Sequence, residues 1–442
     1  MKRLMAAILL VLPLAAQAPS DRGEEVQSFQ MQNGLRVLLL ENHRHPLVRL
    51  QLRAAWTPSE ARVKAPVPET KSKLPGPNAA GPMSLETLAL RMLDQCAAGH
   101  RSRQAFNRAL EERGLSLRLS GEPDGPVWDL SGGSPEAEFA FALLADAVAR
   151  PMPQGGDLDT IRLNFINDLH EQGSEENART AFLRQLERPD LALEPITEKN
   201  LGGIYLEDLQ RYIAASLRPN RAVLAISGDL TLSQARQMVQ LNFGAWAEGS
   251  GKPAVLPPPS AGRPLALPAA LVPADHLETS LALSFRPKDK RQRAAQELLS
   301  LWLPRCLGPD RCQIHPGAGG WRSLVLTAET PADSLKEELS AFRQSGLQAR
   351  DLEQSKALWI ATRRAMALHP QEQLSWAARG ALLGPEPAEL DIQTIDLAAV
   401  NETLRAWLDL DSARVLVFGG NQLRFPPRTA PPDPDSGSGR PR

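Results

Sequence analysis

The sequence predicts an α+β fold built from two homologous αβ domains, each an antiparallel-rich sheet with helices packed on one face. Three observations lead there. A helix–strand unit ending in glycine recurs at a fixed offset. Short alternating strands and amphipathic helices follow one another in both halves of the chain. A stretch rich in Pro, Gly and Ser at 247–263 separates them as a linker.

At 442 residues the chain exceeds one ordinary core, since domains run to roughly 100–200 residues each. Its 50 basic and 51 acidic residues leave a net charge of -1, which gives no support for nucleic acid or an anionic membrane as a partner. Residues 1–18 read as a secretory signal: Lys2 and Arg3, an apolar run over 4–16, then Ala16-Gln17-Ala18. That run is short for a membrane span, and no later segment reaches ~18 apolar residues. The expectation is an exported, periplasmic protein without stable membrane insertion.

The first domain is expected over 19–246. Two apolar or alternating runs flank Asn33-Gly34, the signature of a hairpin whose two-residue turn needs positive φ. Residues 47–56 extend the sheet. The Pro-rich stretch 57–82 reads as an extended insertion. Residues 87–99 form an amphipathic helix with Ser84 as a candidate cap and Gly99 at its end. A second helix over 102–113 stops at Gly114. Strands at 115–120 and 127–131 precede a helix to Arg150, with Ser134-Pro135 as cap and first turn. A long helical stretch runs from 157 to about 186, with a break near Gly173.

The recurrence comes next. Ile204, Leu206, Leu209, Ile213, Leu217, Leu224, Ile226 and Gly228 correspond, 191 residues on, to Ile395, Leu397, Val400, Leu404, Leu408, Val415, Val417 and Gly419. Apolar meets apolar throughout and Gly meets Gly, which favours duplication over chance. The second domain, 264–424, is expected to open with a strand near 279–285 and a helix over 294–303. A loop over 308–320 and a strand at 323–327 follow. Residues 425–442 form a tail with a disordered composition. Cys96 lies on an apolar helix face and reads as a buried hydrophobe. Cys306 and Cys312 are spaced for a small disulfide loop, and the sequence leaves open whether it closes.

FQMQNGLRVLLLENHRHPLVRLQLRA at 29–54, LEERGLSLRLS at 110–120, FALLADAVARP at 141–151 and LEDLQRYIAASLRPNRAVLAISGDL at 206–230 together resemble the M16 (insulinase/pitrilysin) metallopeptidase family, in its mitochondrial-processing-peptidase-like branch. The resemblance covers most of 26–420. It implies an H-x-x-E-H zinc motif on the first helix and a remote Glu, with the motif's own Glu acting as general base on a zinc-bound water. Aligned on Gly99, the two histidine positions fall at Leu90 and Asp94, and the base at Leu93. The remote Glu falls at or within a few residues of Asp168. An aliphatic side chain neither ligates zinc nor takes a proton, and no H-x-x-E-H occurs elsewhere in the chain. No cofactor is therefore expected here, although active family members use zinc. The family's second-half Arg/Tyr loop corresponds to RCLGPDRCQIHPGAGGWRS at 305–323, which has Arg305, Arg311 and Arg322 but no Tyr. Trp321 could stand in by packing on an extended peptide, or could be a strand-end residue at the core edge. Arg322 and Trp321 are the substrate-binding candidates.

His43 and His45 form a His-x-His pair that reads better as a solvated turn than as metal ligands. His100 reads as a turn residue, and residues 171–177 as a solvated helix break. His276, His315 and His369 receive no role. The resemblance implies a non-catalytic subunit that pairs with an active M16 chain and helps enclose or bind a peptide or unfolded protein. Two other readings stay open: a zinc endopeptidase with an unorthodox site, and a stand-alone envelope interaction protein.

Overall fold

The computed structural model describes residues 26–55, 82–187, 189, 196–247, 270–383 and 389–419. The expected signal and tail lie outside them. So do the insertion and the linker, apart from Pro82 and Ala247.

The hairpin forms: β1 (Gln27–Gln30) pairs antiparallel with β2 (Arg36–Glu41), Gln30 opposite Arg36. Its connection is longer than the two-residue turn expected, and only Gly34 has positive φ. Asn33 is buried instead. Its Nδ2 donates to the carbonyls of Phe243 (2.8 Å) and Trp246 (3.2 Å), and its Oδ1 accepts from Leu35 N. The amide thus clamps a distant helix end, a role its donor and acceptor pair allows.

After β3 (Leu47–Ala54), helix α1 (Pro82–Gln95) starts earlier than expected. Ser84 lies inside it, fully buried with an unpartnered Oγ, so it is not the cap. Next come β4 (Ala97–Ala98) and α2 (Arg103–Glu111), the latter capped by Ser102 through Ala105 N. Gly114 follows with φ +60. Strands β5 (Ser116–Glu122) and β6 (Gly125–Gly133) form a hairpin. Ser134 and Pro135 make a short 3-10 turn rather than capping α3 (Ala137–Ala149), and Ser134 Oγ donates to Asp229 at 3.1 Å. β7 (Pro151–Met152) pairs with β4. The long helical stretch is two helices, α4 (Gly155–Glu171) and α5 (Gly173–Glu187), separated at Gly173 with φ +74. α6 (Glu198–Gly202), α7 (Leu206–Ser216), β8 (Ala222–Gly228) and α8 (Leu232–Phe243) complete the half.

The second half runs β9 (Ala270–Pro273), β10 (Glu278–Phe285) and α9 (Lys290–Leu307), then β11 (Cys312–Pro316) and β12 (Arg322–Ala328). It continues through α10 (Ala332–Ser345), α11 (Ala349–Ala367), α12 (Pro370–Leu383), α13 (Glu389–Thr394), α14 (Leu397–Trp407) and β13 (Arg414–Gly419). β9 was not expected, and the expected loop 308–320 contains the edge strand β11. Both are short edge elements whose partners lie far away in sequence, so local alternation hardly marks them.

The duplication is visible in both elements and topology. α7 and α14 begin and end at the same offset of 191, and so do the 3-10 turns Pro219–Arg221 and Leu410–Ser412. The sheets run β1-β2-β8-β3-β6-β5 and β11-β12-β10-β13-β9. β8 lies between β2, to which it is parallel, and β3, to which it is antiparallel. β13 lies the same way between β9 and β10. β1 is the extra strand.

The main helices of each half cover one face of its sheet, and α1, α3 and α7 bury Leu88, Met92, Phe141 and Leu209 against Leu50, Trp128 and Ile226. The opposite face of each sheet takes one helix from the other half. Phe182 and Leu186 of α5 pack on Ala282, Val325 and Phe418. Leu374, Ala378 and Leu382 of α12 pack on Leu40, Val223 and Ala225. Each fully buried Leu or Phe contributes about 1.5–3 kcal/mol over leaving it exposed, so this reciprocal exchange joins the halves firmly. Arg414, almost fully buried, adds to it by donating to the carbonyls of Gln185 (2.8 Å) and Pro189 (2.6 Å) beyond the end of α5. No helix among the described residues is long and apolar enough to cross a membrane.

Candidate functional site

α1 turns Leu88, Ala89 and Met92 wholly into the core. That orientation fixes the neighbouring family positions. Leu93 is 5% exposed and lines a small cavity of about 40 Å³ with Phe106, Leu117 and Trp128. Leu90 lies over β5 so closely that a Cβ on Gly121 would come within 2.6 Å of its Cδ2. Asp94 is exposed and faces Arg103 Nη2 at 4.0 Å. Asp168, on α4, accepts from Arg91 Nη1 at 2.8 Å, and the Arg91 guanidinium lies 4.1 Å from the centroid of Phe165.

The fold therefore brings α1 and the remote acid together, as the resemblance implies, but an arginine bridges them. These residues do not fit zinc. Of the three ligand positions Leu90 has no donor atom, Asp168 is paired with Arg91, Asp94 faces Arg103, and the base position holds Leu93. Among the described residues no group of three or more His, Cys, Asp or Glu could hold a metal ion.

The second-half candidates lie elsewhere. Trp321 is 3% exposed, with a buried, unpartnered Nε1, so its ring is not free to cover a peptide as it stands. Arg322 donates to Ser300 at 2.9 Å and pairs with Glu297. Arg311 pairs with Glu338 at 2.9 Å, and Arg305 is exposed. Cys306 is exposed and unbonded to the buried Cys312. Cys96 is buried, and its thiol is pushed up to about 11 by lost hydration.

His43 Nδ1 donates to Asp229 at 2.7 Å and the ring lies 3.6 Å from Glu41, which raises its pKa, the Asp229 bond foremost. His45 and His369 line a larger groove between β3, β6 and the start of α12. His276 stacks on Phe418 at 6.3 Å, and His100 is exposed.

Sequence reasoning missed the seam between the halves. The tip of the β5–β6 hairpin carries Asp124, 5% exposed, which accepts from Gly319 N at 2.8 Å and faces Arg379 Nη2 at 3.5 Å. Burial pushes the Asp124 carboxyl up, against Arg379 and the Gly319 N–H. Glu187, at the end of α5, is exposed, yet its carboxyl is pushed up to about 7. Lost hydration is the main cause, Glu86 and Asp124 add to it, and Arg184 opposes it. The Pro123-Asp124-Gly125 tripeptide marks a turn in sequence. Nothing local tells that its carboxylate meets a backbone N–H from the other half.

Residues 203–303 match the family model described as the peptidase M16 inactive domain. No curated protein matches the sequence. Among solved structures, the peptidase M16 inactive domain from Pseudomonas fluorescens shares 17% identity at a TM-score of 0.71, over 91% of this chain and 99% of that one. The first half of the periplasmic protease PqqL from Escherichia coli shares 14% identity at 0.64, over 90% and 92%. Against the whole of PqqL, at 15% identity and 0.64, the match covers 91% of this chain but 48% of that one. The fold is thus M16 peptidase-like.

Proposed function

We propose that this chain, whose resemblance to the M16 peptidases holds in its fold and in the matched domain, is a non-catalytic subunit that pairs with an active zinc peptidase chain and helps enclose or bind a peptide. The observation that carries the reading is the state of α1. The helix keeps its place against the sheet and α4, while Leu90 and Leu93 are packed and Asp94 and Asp168 face arginines. The scaffold is kept and the chemistry is replaced by packing.

Two further facts support pairing. The chain matches the first half of the PqqL protease and covers 48% of the whole. β5 is an edge strand of the first sheet, and an edge can extend onto an added peptide strand. A signal at 1–18 would send the subunit to the periplasm.

The test is co-expression with an H-x-x-E-H chain encoded beside it. The expected outcome is a stable hetero-oligomer on gel filtration and faster peptide cleavage by the pair than by the active chain alone. The purified chain on its own should hold no stoichiometric zinc and cleave nothing. Zinc with turnover would restore the endopeptidase reading, and a strictly monomeric chain in the presence of its neighbour would favour the stand-alone role.

A further inference from the structure

A groove of about 940 Å³ opens on the first sheet, with the start of α12 as one wall. Successive residues of a strand point to opposite faces. On β5, Leu117 and Leu119 line the small cavity beside Leu93, so Ser116 and Arg118, which line the groove, lie on the face away from α1. One register row crosses the groove floor: Ser227 of β8, Arg49 of β3, Ser131 of β6 and Ser116 of the edge strand β5. Arg49 is committed, since its Nε donates to Asp129 and its Nη1 to Gln371 of α12, each at 2.7 Å. That holds floor and wall together. The three serine hydroxyls hydrogen-bond to nothing among the described residues, although Ser227 is 7% exposed.

The uncommitted charges lining the groove are of both signs. Arg118 is exposed and makes no ion pair among the described residues. Glu372, in the first turn of α12, acts on Arg49 through space. A phosphate backbone would be drawn to the first and repelled by the second. Among the described residues no Phe, Tyr or Trp lines the groove, so nothing there stacks on a base. A polypeptide answers the whole lining. Hydroxyls serve its backbone N–H and C=O groups, a guanidinium fork takes a carboxylate, and the exposed Leu47 offers an apolar contact. β5 lies two strand spacings from β3, about 10 Å, which three residues of extended chain cover at about 3.3 Å each.

We propose that this groove seats an extended peptide segment with an acidic side chain at Arg118 and a basic one at Glu372, about three residues apart. The proposal rests on the peptide-binding part of the reading above and not on the partner chain. It places the segment on the sheet face opposite the α1 positions and apart from Trp321 and Arg322, which do not line the groove.

Titration calorimetry on the full chain tests this with acetyl-Ala-Asp-Ala-Ala-Lys-Ala-amide, with acetyl-Ala-Lys-Ala-Ala-Asp-Ala-amide, and with the uncharged acetyl-Ala-Asn-Ala-Ala-Gln-Ala-amide. One charged order should bind at least about tenfold more tightly than the uncharged peptide. Arg118→Gln and Glu372→Gln change exposed residues, should fold like the parent, and should each weaken that binding at least about fivefold. The double exchange Arg118→Glu with Glu372→Lys should prefer the opposite order. Equal binding of charged and uncharged peptides, no binding at about 10 mM, or full affinity in the folded variants would overturn the proposal. Peptide binding that survives the variants would keep the broader reading and leave Arg118 the role of guarding the edge strand against pairing.

Discussion

Asp124 Oδ1 accepts a hydrogen bond from Gly319 N at 2.8 Å, joining the tip of the β5–β6 hairpin to the β11–β12 connection. The two connections hold equivalent places in the duplicated sheets, so the halves meet through matched parts. Asp124→Ala leaves the Gly319 N–H and Arg379 without this acceptor and should cost about 1–3 kcal/mol in urea denaturation. Asp124→Asn keeps an accepting oxygen and should cost less. Equal stability of Asp124→Ala and the parent would mean that water replaces the carboxylate.

Glu187 should give the fold a pH dependence. Its carboxyl rises from an ordinary 4.5 to about 7 in the folded chain, so folding favours the protonated form. That contribution is full below about 4.5 and is lost as pH rises through about 7. Asp124 shifts the same way from 3.8. Glu187→Gln should flatten the urea midpoint across this window, and because the residue is exposed the change should be small. A parent protein whose midpoint rises over the same window would contradict the assignment.

Restoring a carboxylate at the family base position should be costly. Leu93→Glu puts a charge among Phe106, Leu117 and Trp128 and should cost about 3–5 kcal/mol in thermal or chemical unfolding. A chelator should leave the melting temperature of the parent unchanged. A drop on adding EDTA would reveal a structural metal.

The exchanged helices should make the two halves unfold together. Leu382 belongs to the second half in sequence but packs on the first sheet. Leu382→Ala should cost about 2–5 kcal/mol and shift a single transition, seen alike by tryptophan fluorescence and far-ultraviolet dichroism. Two separated transitions would show that the exchange does not couple the halves.

The three thiols should differ in reactivity. Burial pushes Cys96 up to about 11 and Cys312 up to about 12, so both stay protonated near neutral pH. Cys306 is exposed, with a smaller upward shift from partial burial. Iodoacetamide on the native protein should label Cys306 first, read by mass spectrometry. Labelling of Cys312 before Cys306 would argue against the burial described.

The sequence by itself determined much of this protein. Spacing of apolar residues placed α1, α2 and the paired helices α7 and α14, because a helix face repeats within a few residues. The constant offset from Leu206 to Leu397 and from Gly228 to Gly419 made the duplication legible, and Leu90 and Leu93 stand where the resemblance implies a zinc ligand and a general base. What only the tertiary structure decided is where distant pieces meet. Asn33 reads as a turn former until Phe243 and Trp246 are brought to its amide. Asp168 reads as a spare ligand until Arg91 reaches it across the α1–α4 contact. The exchange of α5 and α12 has no sequence signature at all. Amphipathic periodicity states that a helix has an apolar face, but not which sheet will cover it, and a charge finds its partner only when the fold removes water from both.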